Sequence, residues 1–204
     1  MEKSQFRLVL VVVHVLSLAP LALLALDFSL GRLGPNPIRE IQLRTGSYTL
    51  FLLVASLACT PLYTLTGILR ILDLRRVLGL YAFGYASLHF VNLAGLDYLF
   101  DFKALWADIA EKRYILAGFP AFLILLVLAI TSTAGWKRRL GKSWKRVHRL
   151  VYLAGVLAVL HYFWQVKVRV PGPVIYGVIL AALLLLRLPA AERLAARRLP
   201  WRAS

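Results

Sequence analysis

Six apolar runs, at roughly 8–26, 48–65, 77–96, 115–132, 147–166 and 174–188, decide what this chain can become. Each is near the ~20 mostly apolar residues that a helix needs to cross a bilayer. Together they take up about 120 residues, and the rest suffices only for five connections and two tails. No room is left for a soluble catalytic domain. The composition agrees: 60% of the 204 residues are hydrophobic and 17% charged, where soluble domains run nearer one half and one quarter. One cysteine excludes a disulfide framework, a CxxC pair and a covalent CxxCH haem attachment. The expected fold is an all-α membrane protein, a six-helix transmembrane bundle forming one domain over 1–204. The first run resembles a secretory signal, but Pro20 interrupts it and no clean A-x-A site follows, so it reads as an uncleaved first helix.

The net charge of +16 invites a nucleic-acid reading, and the placement of the charges removes it. With the N-terminus in the cytoplasm, 17 of the 25 Lys and Arg fall on inner segments: Lys3, Arg7, Arg70, Arg75, Arg76, the cluster from Lys137 to Arg149, and Arg187, Arg193, Arg197, Arg198 and Arg202. The outer segments hold Arg32, Arg39, Arg44, Lys103, Lys112, Arg113, Lys167 and Arg169, with six of the nine acids. This is the positive-inside bias, and anionic headgroups account for the charge. An even number of spans returns the C-terminus to the cytoplasm.

All four histidines, His14, His89, His148 and His161, lie in or at the edge of spans. Polar groups there are costly and usually functional, although an interhelical hydrogen bond is the plainer use. Two of them share a depth. His89 lies 13 residues beyond Arg76 on the third run, and His161 lies 15 beyond Arg146 on the fifth, which has the same direction. At 1.5 Å per residue both imidazoles sit roughly 20 Å above the inner boundary. Two neutral imidazoles at one level can clamp a haem iron from both faces, and non-covalent binding implies haem b. Gly84 and Gly155 remove bulk midway along the two helices, for a flat macrocycle or for ordinary helix packing.

His148 lies 13 residues before His161, about 19.5 Å lower. That distance suits a second, inner haem, but a regular helix leaves the two side chains ~140° apart, so a π-bulge would be needed to realign them. Across from it stand Arg75 and Arg76, not a histidine. An inner haem would need His14 as its second ligand or be five-coordinate. Arg75 and Arg76 can pair with haem propionates or a flavin phosphate, or simply set topology. His14 reads as a packing or quinone-site residue, and Cys59 as a buried small apolar one. Asp97, Asp101, Asp108 and Glu111 belong to the longest outer connection, where spacing predicts an interfacial helix over 102–110. No P-loop, GxGxxG, HExxH or GxSxG motif is present.

Longer stretches carry a resemblance. They run from Arg75-Arg76 through Tyr81 to His89, and from Thr131-Ser132-Thr133 through Trp144, His148 and Tyr152 to His161 and Trp164; Arg44-Thr45-Gly46, Thr60-Pro61 and Ile175-Tyr176 add to them. Over nearly its whole length the chain resembles the MsrQ (formerly YedZ) family. These are haem-binding inner-membrane subunits of the bacterial periplasmic protein-methionine-sulfoxide reductase system, in the ferric-reductase-like transmembrane class. One departure is Lys112-Arg113-Tyr114, where the family usually has proline before the tyrosine. The resemblance implies haem b (one or two), a bound FMN, and electrons taken from the quinone pool or a flavin reductase. It implies delivery to MsrP, a periplasmic molybdopterin enzyme, with no substrate-reducing site in this chain. Relatives with a cytosolic nucleotide domain bind NADPH; this chain, ending about 16 residues past its last run, is not expected to. A stand-alone ferric or oxygen reductase is the alternative, and a non-redox protein with packed histidines the third.

Overall fold

A computed structural model describes residues 3–166 and 171–188. The outer cations Lys167 and Arg169 and the basic tail from Arg193 to Arg202 lie outside these residues. The described chain forms helices α1 (Lys3–Ser29), α2 (Pro37–Thr66), α3 (Ile71–Val91), α4 (Phe102–Glu111), α5 (Arg113–Ile130), α6 (Ala134–Leu140), α7 (Ser143–His148), α8 (Leu150–Gln165) and α9 (Gly172–Leu185). A π-helical turn, Asn92–Asp97, carries α3 onward.

Among the described residues five helices are long and apolar enough to cross a membrane: Ser4–Ser29, Pro37–Thr66, Ile71–Asp97, Arg113–Ile130 and Ser143–Gln165. The sixth expected span is shorter, 14 residues over Gly172–Leu185, or about 21 Å of helix. Pro20, Pro61 and Pro120 sit inside continuous helices, as neighbouring helices in a membrane permit. Pro20 therefore does not break α1.

The largest difference from the sequence reading is the start of α2, which begins 11 residues before Tyr48. Asn36 caps it by accepting from the Arg39 N–H at 3.0 Å, and Pro37 supplies the first turn, the residue types that favour a helix start. The polar first turns are stabilised sideways. Arg44 donates to Asp27 of α1 at 2.6 Å and to Glu40 at 2.8 Å.

Two helix pairs make the bundle, α2 along α3 and α5 along α8. A ladder of rings joins them: Phe90 stacks on Phe122 with centroids 4.7 Å apart, and Phe83 and Phe119 flank this contact. The core gathers Leu52, Leu53, Ala82, Tyr85, Ala86, Leu125 and Ala154. Outside it lies α1, tied to α3 where the Tyr85 hydroxyl donates to the Ser17 carbonyl at 2.7 Å. Val11, Val15, Leu16 and Leu23 on α1 stay exposed, as suits a face toward lipid.

The helix expected over 102–110 forms, as α4. Asp101 caps α4 by accepting from the Lys103 and Ala104 N–H groups, and Leu105 and Ile109 pack on Ala94 and Ile115. Lys112 and the Tyr98 hydroxyl both donate to Asp108, and these bonds hold its carboxyl below the ordinary range.

Candidate functional site

The ring ladder between α3 and α5 fixes where the histidines of α3 and α8 meet. The rings of His89 and His161 stand 5.9 Å apart, centroid to centroid, with planes at 87°. A metal–imidazole bond of about 2 Å on each side of one ion would put two facing ring centres about 6 Å apart. The equal depth expected from helix arithmetic is thus realised.

Both rings are oriented in the same way. His89 Nδ1 donates to the Gln42 carbonyl at 3.0 Å, and His161 Nδ1 to the Tyr114 carbonyl at 2.6 Å. A histidine that gives its Nδ1 proton to a backbone carbonyl keeps the Nε2 lone pair for a metal. Among the described residues no group of three or more His, Cys, Asp or Glu could hold a bare ion. His89 and His161 are the pair that could hold the iron of a haem.

Two glycines make room for these rings. A Cβ at Gly46 would lie 3.0 Å from His89 Cε1, and one at Gly118 only 2.5 Å from His161 Nδ1. The two glycines singled out in the sequence lie elsewhere. Nothing lies within 4 Å of a Cβ at Gly84, which is exposed, whereas one at Gly155 would meet Leu57 and Leu180. Gly155 serves helix packing, and neither faces a histidine.

Around His89 stands a polar set from α2 and the π-turn that the sequence does not mark. Gln42 Nε2 donates to His89 Nε2 at 3.1 Å, and Asn92 Nδ2 donates to Gln42 Oε1 at 2.6 Å and to the Ile38 carbonyl at 3.2 Å. Asn92 is 4% exposed, and its Oδ1 has no donor. The available signal was Gln42 one turn ahead of Gly46, in a stretch whose polarity had placed it before the helix.

His148 stands apart. It ends α7, its Nε2 lies 3.0 Å from Thr131 Oγ1, and Trp144 stacks on it with centroids 4.0 Å apart. The chain re-sets at Arg149, between α7 and α8, with no π-bulge there. His148 and His161 thereby reach opposite ends of the α5 strip, at Thr131 and Tyr114. Arg75 is near enough to His148 to act on it electrostatically; Arg75 and Arg76 are exposed. His14 Nδ1 lies 2.8 Å from the Tyr81 hydroxyl on α3. Cys59 is buried, its thiol 3.4 Å from the Ala55 carbonyl.

Comparison with known proteins bears on this arrangement. Residues 44–159 match the family described as ferric reductase like transmembrane component. The chain is 46% identical over 200 residues to the protein-methionine-sulfoxide reductase heme-binding subunit MsrQ of Rhodospirillum rubrum, covering 97% of this chain and 96% of that one. It is 45% identical over 198 residues to the MsrQ of Xanthomonas oryzae pv. oryzae (strain MAFF 311018), covering 94% and 90%. The MsrQ of Xanthomonas campestris pv. campestris (strain 8004) is 46% identical over the same shares. No solved structure matches. The chain is a multi-pass membrane protein of the ferric-reductase-like transmembrane family, and within it belongs to the MsrQ heme-binding subunits.

Proposed function

We propose that this chain is a b-type cytochrome of the bacterial inner membrane that passes electrons to a periplasmic MsrP-like molybdopterin reductase, for repair of oxidised methionine in envelope proteins. The observation that carries the reading is the close pair His89 and His161, each with Nδ1 donating to a backbone carbonyl, which leaves Nε2 as the nitrogen without a proton. These two hold haem b. Haem supplies one-electron transfer when bound. The chain would contribute the two histidine nitrogens, held by the Gln42 and Tyr114 carbonyls, and the close approach at Gly46 and Gly118.

The proposed topology is six spans with both termini cytoplasmic, forming one domain over 1–204. Gly172–Leu185 crosses together with Leu186 and Leu188, the Arg187 between them being turned onto the Tyr152 hydroxyl and the Leu57 carbonyl. Reporter fusions after Arg139 and after Arg198 are expected to read cytoplasmic, and one near Asp101 periplasmic. A periplasmic signal at Arg198 would remove the sixth span.

Quinol or a flavin reductase supplies the electrons. In favour of quinol, a cleft of about 300 Å³ opens between α1, α2 and α9, lined by Leu16, Ser17, Pro20, Tyr48, Phe51 and Tyr176. An amphipathic ring enters such a cleft from the bilayer. His148, with Arg75 and Arg76, marks the inner end, where a second haem or an FMN would bind; the guanidinium groups suit propionate or phosphate.

The test is anaerobic reduction of purified protein followed by its haem spectrum. A quinol analogue or a flavin reductase should reduce the haem, and added MsrP should reoxidise it. Reduction by NADPH alone, with no flavoprotein present, would overturn the carrier reading. Reoxidation by Fe(III) or oxygen as fast as by MsrP would favour a stand-alone reductase.

A further inference from the structure

The unsatisfied Asn92 Oδ1 and the amide resting on His89 are two halves of one device. As the chain stands, Gln42 Nε2 donates to His89 Nε2, the nitrogen that would ligate iron. Its Oε1 accepts from Asn92 Nδ2 at 2.6 Å. Once Nε2 is given to iron, the Gln42 N–H loses its acceptor, and an amide buried without a partner costs free energy comparable to a lost hydrogen bond. An acceptor without a donor belongs to its neighbour: Asn92 Oδ1, buried on the same residue that already donates to Gln42 Oε1. Two carboxamides joined by one hydrogen bond need only a turn about the Gln42 side chain to make the second, reciprocal one.

The geometry points to Gln42 and Asn92 as a positioning latch for the His89 ligand. Gln42 holds His89 from both sides, its main-chain carbonyl on Nδ1 and its side-chain amide on Nε2, 3.0 and 3.1 Å away. The ring is thereby kept in its ligating tautomer. In the haem-bound protein the amide lets go and closes on Asn92, so the exchange conserves the number of hydrogen bonds. The π-turn that starts at Asn92 has a place in this. Asn92 also donates to the Ile38 carbonyl, so the receiving amide is anchored to α2 beside the residue it must catch.

This inference rests on His89 being a haem ligand, and the experiment separates the two. Full-length protein in nanodiscs is stripped of haem and titrated with hemin, for the wild type, Gln42→Met, Asn92→Leu and the double variant. Gln42→Met removes the amide at nearly constant volume. It should take up and release haem about fivefold faster, the worth of one net hydrogen bond, with affinity little changed, because each state loses one bond. Asn92→Leu should weaken affinity about fivefold while Gln42 is present, since the released amide then has no acceptor. In the double variant that loss should vanish. Equal weakening in both backgrounds would make Asn92 a mere helix tie and overturn the latch. Should the variants fold poorly, infrared spectra of wild-type protein labelled at glutamine carboxamide carbon decide the matter. The band should move when haem binds, and a stationary band refutes the exchange. If His89→Ala keeps its low-spin haem, the ligand assignment has failed. If His89→Ala loses it while the Gln42 and Asn92 results come out unchanged from wild type, only the latch has failed.

Discussion

His89→Ala, purified with its membrane environment intact, is expected to lose the low-spin haem spectrum. The iron would keep one protein nitrogen, from His161, and no other imidazole lies within reach. His14 is engaged with Tyr81, and His148 stands against Thr131 and Trp144. Groups that merely orient a metal ligand typically cost 10–100-fold in affinity when removed, so loss of the ligand itself should exceed about 100-fold. His161→Ala should behave alike, because the Tyr114 carbonyl aims that ring as the Gln42 carbonyl aims the other. His148→Ala should leave the spectrum of this haem in place, and change only an inner cofactor or the entry of electrons. Optical spectra with haem-to-protein ratios check all three. An unchanged low-spin spectrum in His89→Ala would end the two-histidine assignment.

What was legible in the sequence followed from long-range regularity. Apolar runs locate helices because lipid rewards uniform hydrophobicity, and 1.5 Å per residue converts two sequence offsets into a shared depth. The meeting of His89 and His161 was therefore readable before any contact was known. The start of α2 was not. Arg39, Glu40, Gln42 and Arg44 lower the local hydropathy, and the pairing of Arg44 with Asp27 and Glu40 is tertiary. The groups touching His89 from that stretch, Gln42, Thr45 and Gly46, were hidden with it. His148 shows a second limit. Regular helix rotation is a poor guide across the re-set at Arg149, where the Tyr152 N–H bonds to the Arg149 carbonyl three residues back. Glycines show a third, for sequence marks where bulk is absent but not which neighbour uses the space. Gly84 faces outward, Gly155 meets leucines, and Gly118 meets the histidine.

That last distinction gives the other large effect. Gly118→Ala should reduce haem retention by about tenfold or more, the scale seen when a ligand's orienting group is lost. The added methyl would sit 2.5 Å from His161 Nδ1, 2.9 Å from Cε1 and 3.1 Å from Cγ, well inside contact distance for three ring atoms at once. The ring cannot swing aside freely, because its Nδ1 is bonded to the Tyr114 carbonyl at 2.6 Å. Relief must come either from breaking that bond, which frees the tautomer and the aim of Nε2, or from prising α5 off α8, which are packed along their length. Gly46→Ala should act more mildly, since its methyl would lie 3.0 and 3.1 Å from His89 Cε1 and Nδ1, where a shift of a few tenths of an ångström suffices. Gly84→Ala, with nothing within 4 Å, should leave haem content and spectrum as in the wild type. The order of haem loss, Gly118 above Gly46 above Gly84, tests the steric account independently of any substitution at a histidine. A full complement of low-spin haem in Gly118→Ala would mean that the ring of His161 does not pass over α5 when haem is bound.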